Sequence, residues 1–218
     1  MSVKVCKFGG TSMADGNIIT RVKWIVGSDP ARKYIVVSAP GKRYSKDTKV
    51  TDLLYKCHSD LRAGKHITES FALVRARYNS IVKELNLDID FDNVLDETEA
   101  RIEAENSEDF TASRGEYLCA RLVAIVLGAK FVDAENVILF REDGTTDDAA
   151  TDKAIRAAVD GEDLVVFPGF YGRTVEGKVK TFSRGGSDIT GAIVARAVGA
   201  SVYENWTDVS GFLACDPR

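Results

Sequence analysis

Two glycine-containing segments near opposite ends of the chain carry residue types that bind phosphate. They are Lys7-Phe8-Gly9-Gly10-Thr11-Ser12 and Ser183-Arg184-Gly185-Gly186-Ser187-Asp188. Paired glycines let backbone N–H groups approach a ligand, and Ser and Asp favour the start of a helix, where free N–H groups bind anions. The second segment alone fits an ordinary turn capped by Ser187 equally well. The two segments together predict a site for the phosphate chain of a nucleotide.

Charged residues in and near these segments suit an amino acid and a transferring phosphoryl group. Arg184 can donate two hydrogen bonds to a carboxylate, whereas Glu116 and Asp188 can accept from an ammonium group. Lys7, at the end of a predicted strand, can stabilise negative charge on a phosphoryl group. Solvated surface positions are the alternative for all four residues, because the sequence alone does not show that they converge.

The composition indicates one globular domain and excludes several classes of site. The chain has 218 residues, of which 44% are hydrophobic and 28% charged. A net charge of −4, with Lys and Arg scattered, argues against nucleic acid and membranes as partners. Four separated cysteines and two histidines form no zinc, redox or His-ligated pattern, so no metal-binding residue is predicted. Neither a signal-peptide pattern nor a long apolar run is present, so a cytoplasmic protein is expected.

Hydrophobic periodicity predicts an alternating order of strands and helices. Strands are expected at residues 3–8, 34–38, 129–133, 137–140, 164–169 and 201–206, with a hairpin at 170–182. Helices are expected from residue 15 or 16, from a cap at Thr51 or Asp52 to about Ala63, and at 68–85, 92–105, 117–127, 147–159 and 187–198. Glu116 is expected where one helix begins, and the polar loop 41–50 is expected to be mobile over a site. Strands that alternate with helices predict a parallel sheet.

One further glycine-containing segment is rejected as a phosphate loop. Residues 172–178 match most of the P-loop pattern, but Val179 stands where Ser or Thr would be needed to reach magnesium. The alternating residues that follow predict a strand and not a helix. Nucleotide binding is therefore expected at the two segments described first.

Six motifs span essentially the whole chain: Val5-Cys6-Lys7-Phe8-Gly9-Gly10-Thr11-Ser12, Val36-Val37-Ser38-Ala39, Lys49-Val50-Thr51-Asp52-Leu53-Leu54, Ser113-Arg114-Gly115-Glu116, Phe182-Ser183-Arg184-Gly185-Gly186-Ser187-Asp188 and Trp206-Thr207-Asp208-Val209-Ser210-Gly211. In this order they closely resemble the motifs of the aspartate kinases, which belong to the amino acid kinase family. Six ordered motifs are far more specific than any one glycine pair.

This resemblance implies an α/β fold, a three-layer αβα sandwich with a mainly parallel sheet. It implies phosphoryl transfer from ATP to the β-carboxylate of L-aspartate, the entry step towards lysine, threonine and methionine, with Mg²⁺ held mainly by the phosphates. Family members continue past Asp216-Pro217-Arg218, so residues 1–218 are expected to be an incomplete kinase domain without its C-terminal part and regulatory ACT domains. We expect such a piece to be weakly active or inactive and its parent to be a homo-oligomer.

The resemblance also assigns roles to individual residues. Lys7 and Asp188 would be catalytic, Lys7 by neutralising charge on the phosphoryl group and Asp188 by organising the reacting groups. Residues expected to cradle the phosphoryl group are Gly9, Gly10 and Ser12. Residues expected to bind aspartate are Ser38, Thr51, Glu116, Arg184 and Ser187. Residues expected to line the nucleotide pocket are Thr207, Asp208, Phe212 and Arg218.

Two alternatives to an aspartate kinase stay open at this point. The first is another enzyme of the same fold that acts on glutamate, acetylglutamate or a nucleotide. The second is a binding module that holds a nucleotide or amino acid without chemistry. Intact Lys7, Arg184 and Asp188 argue against the second.

Overall fold

A five-stranded parallel sheet forms the centre of the molecule. The computed structural model describes residues 3–183 and 185–207. Within them the strands are β1 (Lys4–Phe8), β2 (Arg32–Val37), β3 (Lys130–Phe131), β4 (Val165–Pro168), β5 (Tyr171–Arg173), β6 (Val179–Thr181) and β7 (Val202–Trp206). The sheet has the order β3-β4-β2-β1-β7, and all of its pairings are parallel. The hairpin of β5 and β6 is antiparallel. Both the parallel sheet and the hairpin are confirmed, and β6 is a strand where the rejected P-loop would need a helix.

Helices cover the sheet in two groups. They are α1 (Gly16–Gly27), α2 (Val50–Arg62), α3 (Thr68–Glu84), α4 (Asp92–Glu105), α5 (Glu108–Leu127), α6 (Ala134–Val137), α7 (Asp148–Val159) and α8 (Gly186–Val198), with a 3-10 helix at Gly10–Met13. Helix α5 packs on β2, β3 and β4 together with α2 and α4, whereas α8 packs on β1, β2 and β7 together with α7. This is the layered fold that the resemblance implied. None of the helices in residues 3–183 and 185–207 is long and apolar enough to cross a bilayer.

The central strands are buried on both faces, which explains their unbroken apolar sequences. In β2 and β4 the fully buried side chains are Ile35, Val36, Val37, Val165, Val166 and Phe167. Strands between two helical layers have no solvated face, so they lack the apolar-polar alternation of exposed sheets. Cys6 and Cys119 are small core residues, as their apolar surroundings in the sequence predicted.

Helix α5 is longer than predicted, and this changes the position of Glu116. The Ser107 side chain accepts a hydrogen bond from the Phe110 N–H and caps the helix, which then runs unbroken to Leu127. The expected helix start beside Glu116 is therefore wrong. Polar residues at 113–116 suggested an interruption, but they are buried inside a continuous helix. Glu116 is consequently held by helical backbone on both sides.

Three other predicted boundaries are wrong for local reasons. Residues 137–140 form no regular strand, because Asp133 caps the short helix α6 and leaves only isolated bridges at Leu139 and Phe140. Helix α2 starts at Val50 and its N-cap is Lys49, so Thr51 and Asp52 lie inside the first turn and the expected cap at one of them is wrong. Helix α8 starts at Gly186 and its N-cap is Gly185, so Ser187 lies inside the first turn and does not cap it.

Candidate active site

The carboxyl edge of the sheet gathers residues from four strand ends. Lys7 is the last residue but one of β1, Ser38 directly follows β2, and Phe170 and Thr207 follow β4 and β7. All four border one or both of two cavities. Open α/β sheets bind ligands at this edge, where the loops after the strands leave a crevice.

Two helix N-termini reach the same place. Thr51 lies in the first turn of α2, and Ser187 and Asp188 lie in the first turn of α8. Gly185 enters α8 with a φ of 62°, in the left-handed region that glycine adopts without a steric penalty. The free N–H groups and the dipole at a helix N-terminus favour a bound anion.

The two cavities share four lining residues and differ in the rest. One measures about 250 Å³ and the other about 510 Å³. Both are lined by Lys7, Ser38, Thr51 and Glu116. The smaller is completed by Phe170, Gly185, Gly186, Ser187 and Asp188. The larger is completed by Gly9, Gly10, Thr11, Ala39, Pro40, Gly41, Lys42, Lys49 and Thr207. The site is thus divided into a small polar compartment and a larger one beside the glycine turn.

Lys7 and Asp188 form an ion pair in the wall of the smaller cavity. The distance from Lys7 Nζ to Asp188 Oδ1 is 2.7 Å. The Lys7 side chain is only 9% exposed, whereas that of Asp188 is 48% exposed. Asn205 Nδ2 donates to the same oxygen at 3.1 Å, and Tyr203 Oη donates to the Asp188 carbonyl at 3.2 Å. A cation oriented in this way before any ligand binds can stabilise charge that develops during a reaction.

Glu116 is the opposite case, a buried carboxyl group that has no ionic partner in the part of the chain that the structure describes. Burial raises its pKa to about 8, and a hydrogen bond from the backbone N–H of Ala39 offsets part of that effect. Among residues 3–183 and 185–207, its Oε2 atom has no hydrogen-bond partner. An unpaired buried carboxylate is costly, so this atom marks the place where a ligand cation would be stabilised.

Most of the predicted site residues line one or both of the two cavities. The exceptions are as follows. Ser12 borders neither cavity, and its N–H donates to the Gly9 carbonyl at 2.9 Å, so that N–H is not directed at a ligand. Four other predicted residues lie outside the described part of the chain: Arg184, Asp208, Phe212 and Arg218.

Sequence reasoning missed Lys42 and Lys49, which line the larger cavity. Their signal was the basic composition of the loop at 41–50, but the sequence gives no register for a loop. Phe170 was also missed, and its positive φ of 82° marks the turn from β4 into the hairpin. Such backbone conformations in a non-glycine residue often accompany functional sites.

A cavity of about 750 Å³ lies elsewhere, between residues 139–143, α7 and the β5–β6 hairpin. None of the predicted site residues lines it. In the described part of the chain, no three side chains of His, Cys, Asp or Glu cluster closely enough to hold a metal ion. The converging charges therefore favour the two smaller cavities as the functional site.

Known proteins are similar to this chain in sequence and in fold. Aspartokinase 3 of Bacillus subtilis is 38% identical over 99% of this chain and 50% of its own length. The crystal structure of Clostridium acetobutylicum aspartate kinase matches with a TM-score of 0.95 and 48% identity, over 100% of this chain and 50% of that one. Aspartokinase III of Escherichia coli in complex with aspartate and ADP matches with a TM-score of 0.84 and 27% identity, over 99% and 51%.

The chain spans about half the length of these relatives. The family model described as "Amino acid kinase family" matches residues 2–218. The parallel sheet, the two glycine segments at its carboxyl edge and this match agree with one another, so the chain belongs to the amino acid kinase family.

Proposed function

We propose that this chain is the N-terminal part of an aspartate kinase catalytic domain. The reaction is transfer of the γ-phosphoryl group of ATP to the β-carboxylate of L-aspartate, which gives 4-phospho-L-aspartate and ADP. The observation that carries this proposal is the Glu116 Oε2 atom, which has no hydrogen-bond partner among the described residues and lies at the junction of two cavities that the Lys7–Asp188 pair also borders. The binding of aspartate and ADP by the Escherichia coli relative supports it.

Aspartate fits the smaller compartment through its charges. Its ammonium group would contact Glu116, where it would supply the missing partner of Oε2. Ser38, Thr51 and Ser187 supply hydroxyl groups around the same cavity. Arg184 would bind the α-carboxylate through two parallel hydrogen bonds. A bound ammonium group would also favour the ionised form of Glu116, because an adjacent opposite charge lowers the pKa of a carboxyl group.

Phosphoryl transfer at this site needs charge stabilisation more than proton transfer. A carboxylate with an ordinary pKa near 4 is already ionised at neutral pH, so no general base is required. One β-carboxylate oxygen forms a bond to the γ-phosphorus while the bond to the β–γ bridging oxygen breaks, and ADP leaves with that electron pair. Lys7 neutralises charge on the transferring group, while Gly9 and Gly10 allow it to approach the backbone. Asp188 orients Lys7 through their 2.7 Å contact.

Magnesium would be ligated mainly by the phosphate oxygens, with Asp188 as the nearby half-exposed carboxylate, and it would neutralise phosphate charge. We further propose that the parent is a cytoplasmic homo-oligomer of amino-acid biosynthesis, on the route to lysine, threonine and methionine. Three buried cysteines, Cys6, Cys57 and Cys119, are free, which suits a reducing compartment.

Calorimetry with the purified chain tests the proposed function. L-Aspartate is titrated in the presence of a magnesium complex of a non-hydrolysable ATP analogue, with L-glutamate as the control. We expect saturable binding of aspartate alone, and at least tenfold weaker binding by Glu116→Gln, which keeps the shape of the side chain without its charge. Preference for glutamate, or no binding of either amino acid, contradicts the proposal. Activity is then measured by trapping the acyl phosphate with hydroxylamine.

A further inference from the structure

The loop between β2 and α2 is closed by one buried guanidinium group. Arg77 of α3 is 4% exposed, and it donates to the Gly41 carbonyl at 2.9 Å, to the Thr48 carbonyl at 2.9 Å and to Asp47 at 2.8 Å. Its contacts therefore reach both ends of the loop at once. The expectation that residues 41–50 form a mobile loop is not supported by this arrangement, because a mobile loop would leave Arg77 buried without partners.

Asp47 completes this clamp from inside the loop. Its carboxylate accepts from Arg43 Nε at 2.8 Å and from the Arg43 backbone N–H at 3.0 Å, as well as from Arg77. Hydrogen bonds from Arg43 and the charge of Arg77 hold the pKa of Asp47 well below its usual range. The carboxylate consequently stays ionised at neutral pH, and the clamp stays paired.

The loop is also fixed against the glycine turn after β1. The Gly41 N–H donates to the Gly10 carbonyl at 2.8 Å, and the Val50 N–H donates to the Pro40 carbonyl at 3.1 Å. A Cβ atom on Gly41 would lie 2.7 Å from the Gly10 carbonyl carbon, so only glycine permits this approach. Both ends of the loop therefore have a defined position relative to the predicted phosphate site.

Two lysines follow these anchor points directly. Lys42 follows Gly41, Lys49 follows Thr48, and both line the larger cavity. Lys49 has no ionic partner among residues 3–183 and 185–207, and Lys42 makes only a 3.5 Å contact with the Ser45 carbonyl. Among the described residues, the cavity is lined by three lysines, Lys7 being the third, and by one carboxyl group, that of Glu116. Its lining therefore carries an excess of positive charge that suits an anion of several charges.

We propose that Lys42 and Lys49 bind the polyphosphate of the nucleotide substrate, and that the Arg77–Asp47 clamp positions them. This inference rests on the proposed function and adds two further cationic groups to the cavity that the glycine turn lines. Lysine ammonium groups suit phosphate oxygens as point charges. Lys42 and Lys49 line the larger cavity and are absent from the lining of the smaller one, so we expect them to act on the nucleotide and not on aspartate.

A double variant, Lys42→Ala with Lys49→Ala, tests the proposal in calorimetric titrations of the whole chain. Lys46→Ala is the matched control, because Lys46 is exposed in the same loop and borders neither cavity. The probes are the magnesium complex of the ATP analogue, inorganic tripolyphosphate and L-aspartate. We expect the Kd of the first two probes to rise about tenfold in the double variant, with less effect at high salt, while aspartate binding changes less than twofold.

Asp47→Asn tests the positioning role of the clamp. We expect it to raise the Kd of the ATP analogue severalfold while aspartate binding is unchanged, a selective loss that general destabilisation would not give. Thermal unfolding is measured in parallel to establish that the variant is folded. If nucleotide and aspartate binding weaken together, the clamp has no specific positioning role.

Several outcomes overturn the proposal. If the double variant binds nucleotide as tightly as the wild type and Lys46→Ala do, the two lysines have no role in nucleotide binding. The proposed function is then unaffected. The same conclusion follows if the wild-type chain binds aspartate but neither polyphosphate probe. A wild-type chain that binds neither aspartate nor nucleotide contradicts the proposed function itself.

Discussion

The candidate site has two charged walls, one formed by Lys7 and Asp188 and the other by Glu116. They differ in how completely their charged groups are paired. Lys7 is paired with Asp188, which is itself held by Asn205. Glu116 is about as buried as Lys7, and it has an oxygen without a partner among the described residues. The first wall is organised before a ligand binds, whereas the second reaches its most stable state only with a cation beside it. We therefore propose that the Lys7–Asp188 wall serves the reaction and that the Glu116 wall serves recognition.

Removal of the Lys7 ammonium group, the cation paired with Asp188, has the largest expected effect on the reaction rate. We expect Lys7→Ala, made in the longer parent protein, to lower the rate of aspartate-dependent ADP release about 10²- to 10³-fold, because one preorganised charge that stabilises the transition state is lost. Lys33→Ala is the control, since the Lys33 ammonium group lies 3.6 Å from the exposed Asp163 at the end of β2 away from the candidate site. Circular dichroism checks the fold. Wild-type turnover by a folded Lys7→Ala protein would contradict a catalytic role.

The raised pKa of Glu116 predicts that the free energy of unfolding falls as the pH rises. The pKa of Glu116 is raised from an ordinary 4.5 to about 8. The contribution of the protonated carboxyl to the free energy of unfolding is therefore fully present below pH 4.5 and is lost as the pH rises to 8. Each pKa unit corresponds to about 1.4 kcal/mol, so the loss amounts to several kcal/mol. We expect Glu116→Gln to be more stable than the wild type at pH 9 and not at pH 4. Urea unfolding at the two pH values measures the difference.

In that experiment the two proteins are compared at each pH, so that effects of other groups cancel. A stability difference that is the same at pH 4 and pH 9 would mean that Glu116 has an ordinary pKa. The variant should also bind aspartate more weakly, so stability and recognition change in opposite directions. This trade-off is expected of a residue whose charge is satisfied only by the ligand.

Aspartate binding should release a proton from the same carboxyl group. Below pH 8 Glu116 is mostly protonated in the free protein, and the aspartate ammonium favours its ionised form. We expect the affinity for aspartate to rise up to tenfold per pH unit as pH 8 is approached from below. Calorimetry at pH 7 in two buffers of different ionisation enthalpy counts the protons released. Binding without net proton release would show that recognition does not depend on charging Glu116.

The smallest predicted effect concerns Asn205, which holds Asp188 of the Lys7–Asp188 pair in place. Asn205 donates to the carboxylate that orients Lys7, at 3.1 Å. We expect Asn205→Ala to lower the turnover rate by severalfold, the loss of about 1 kcal/mol that one hydrogen bond contributes. Aspartate affinity should stay within twofold, because Asn205 lines neither cavity. A variant that loses aspartate affinity and keeps its turnover rate would reverse the assigned roles of the two walls.

Local patterns predicted the parts of the site that depend on the near sequence. The position of Lys7 at a strand end followed from apolar alternation, and the hairpin at β5 and β6 followed from turn residues between β-formers. The environment of Glu116 could not be predicted, because it depends on a cap at Ser107 and on the approach of the Ala39 backbone. The Arg77–Asp47 clamp was missed because it joins a helix to a loop 30 residues away in the sequence. Local periodicity carries no information on such contacts.

The sheet order has a consequence for how the site forms as the chain folds. Strand β1, which carries Lys7, is hydrogen-bonded on one side to β7, and the Gly9 N–H donates to the Trp206 carbonyl at 3.0 Å. Contacts of such high sequence separation form slowly, since the ends of a long chain must first meet. During synthesis the glycine turn near the start of the chain therefore cannot reach its final environment until residues 202–206 have left the ribosome. The glycine turn therefore reaches its final environment only after β7 has been made, although the turn itself is made much earlier.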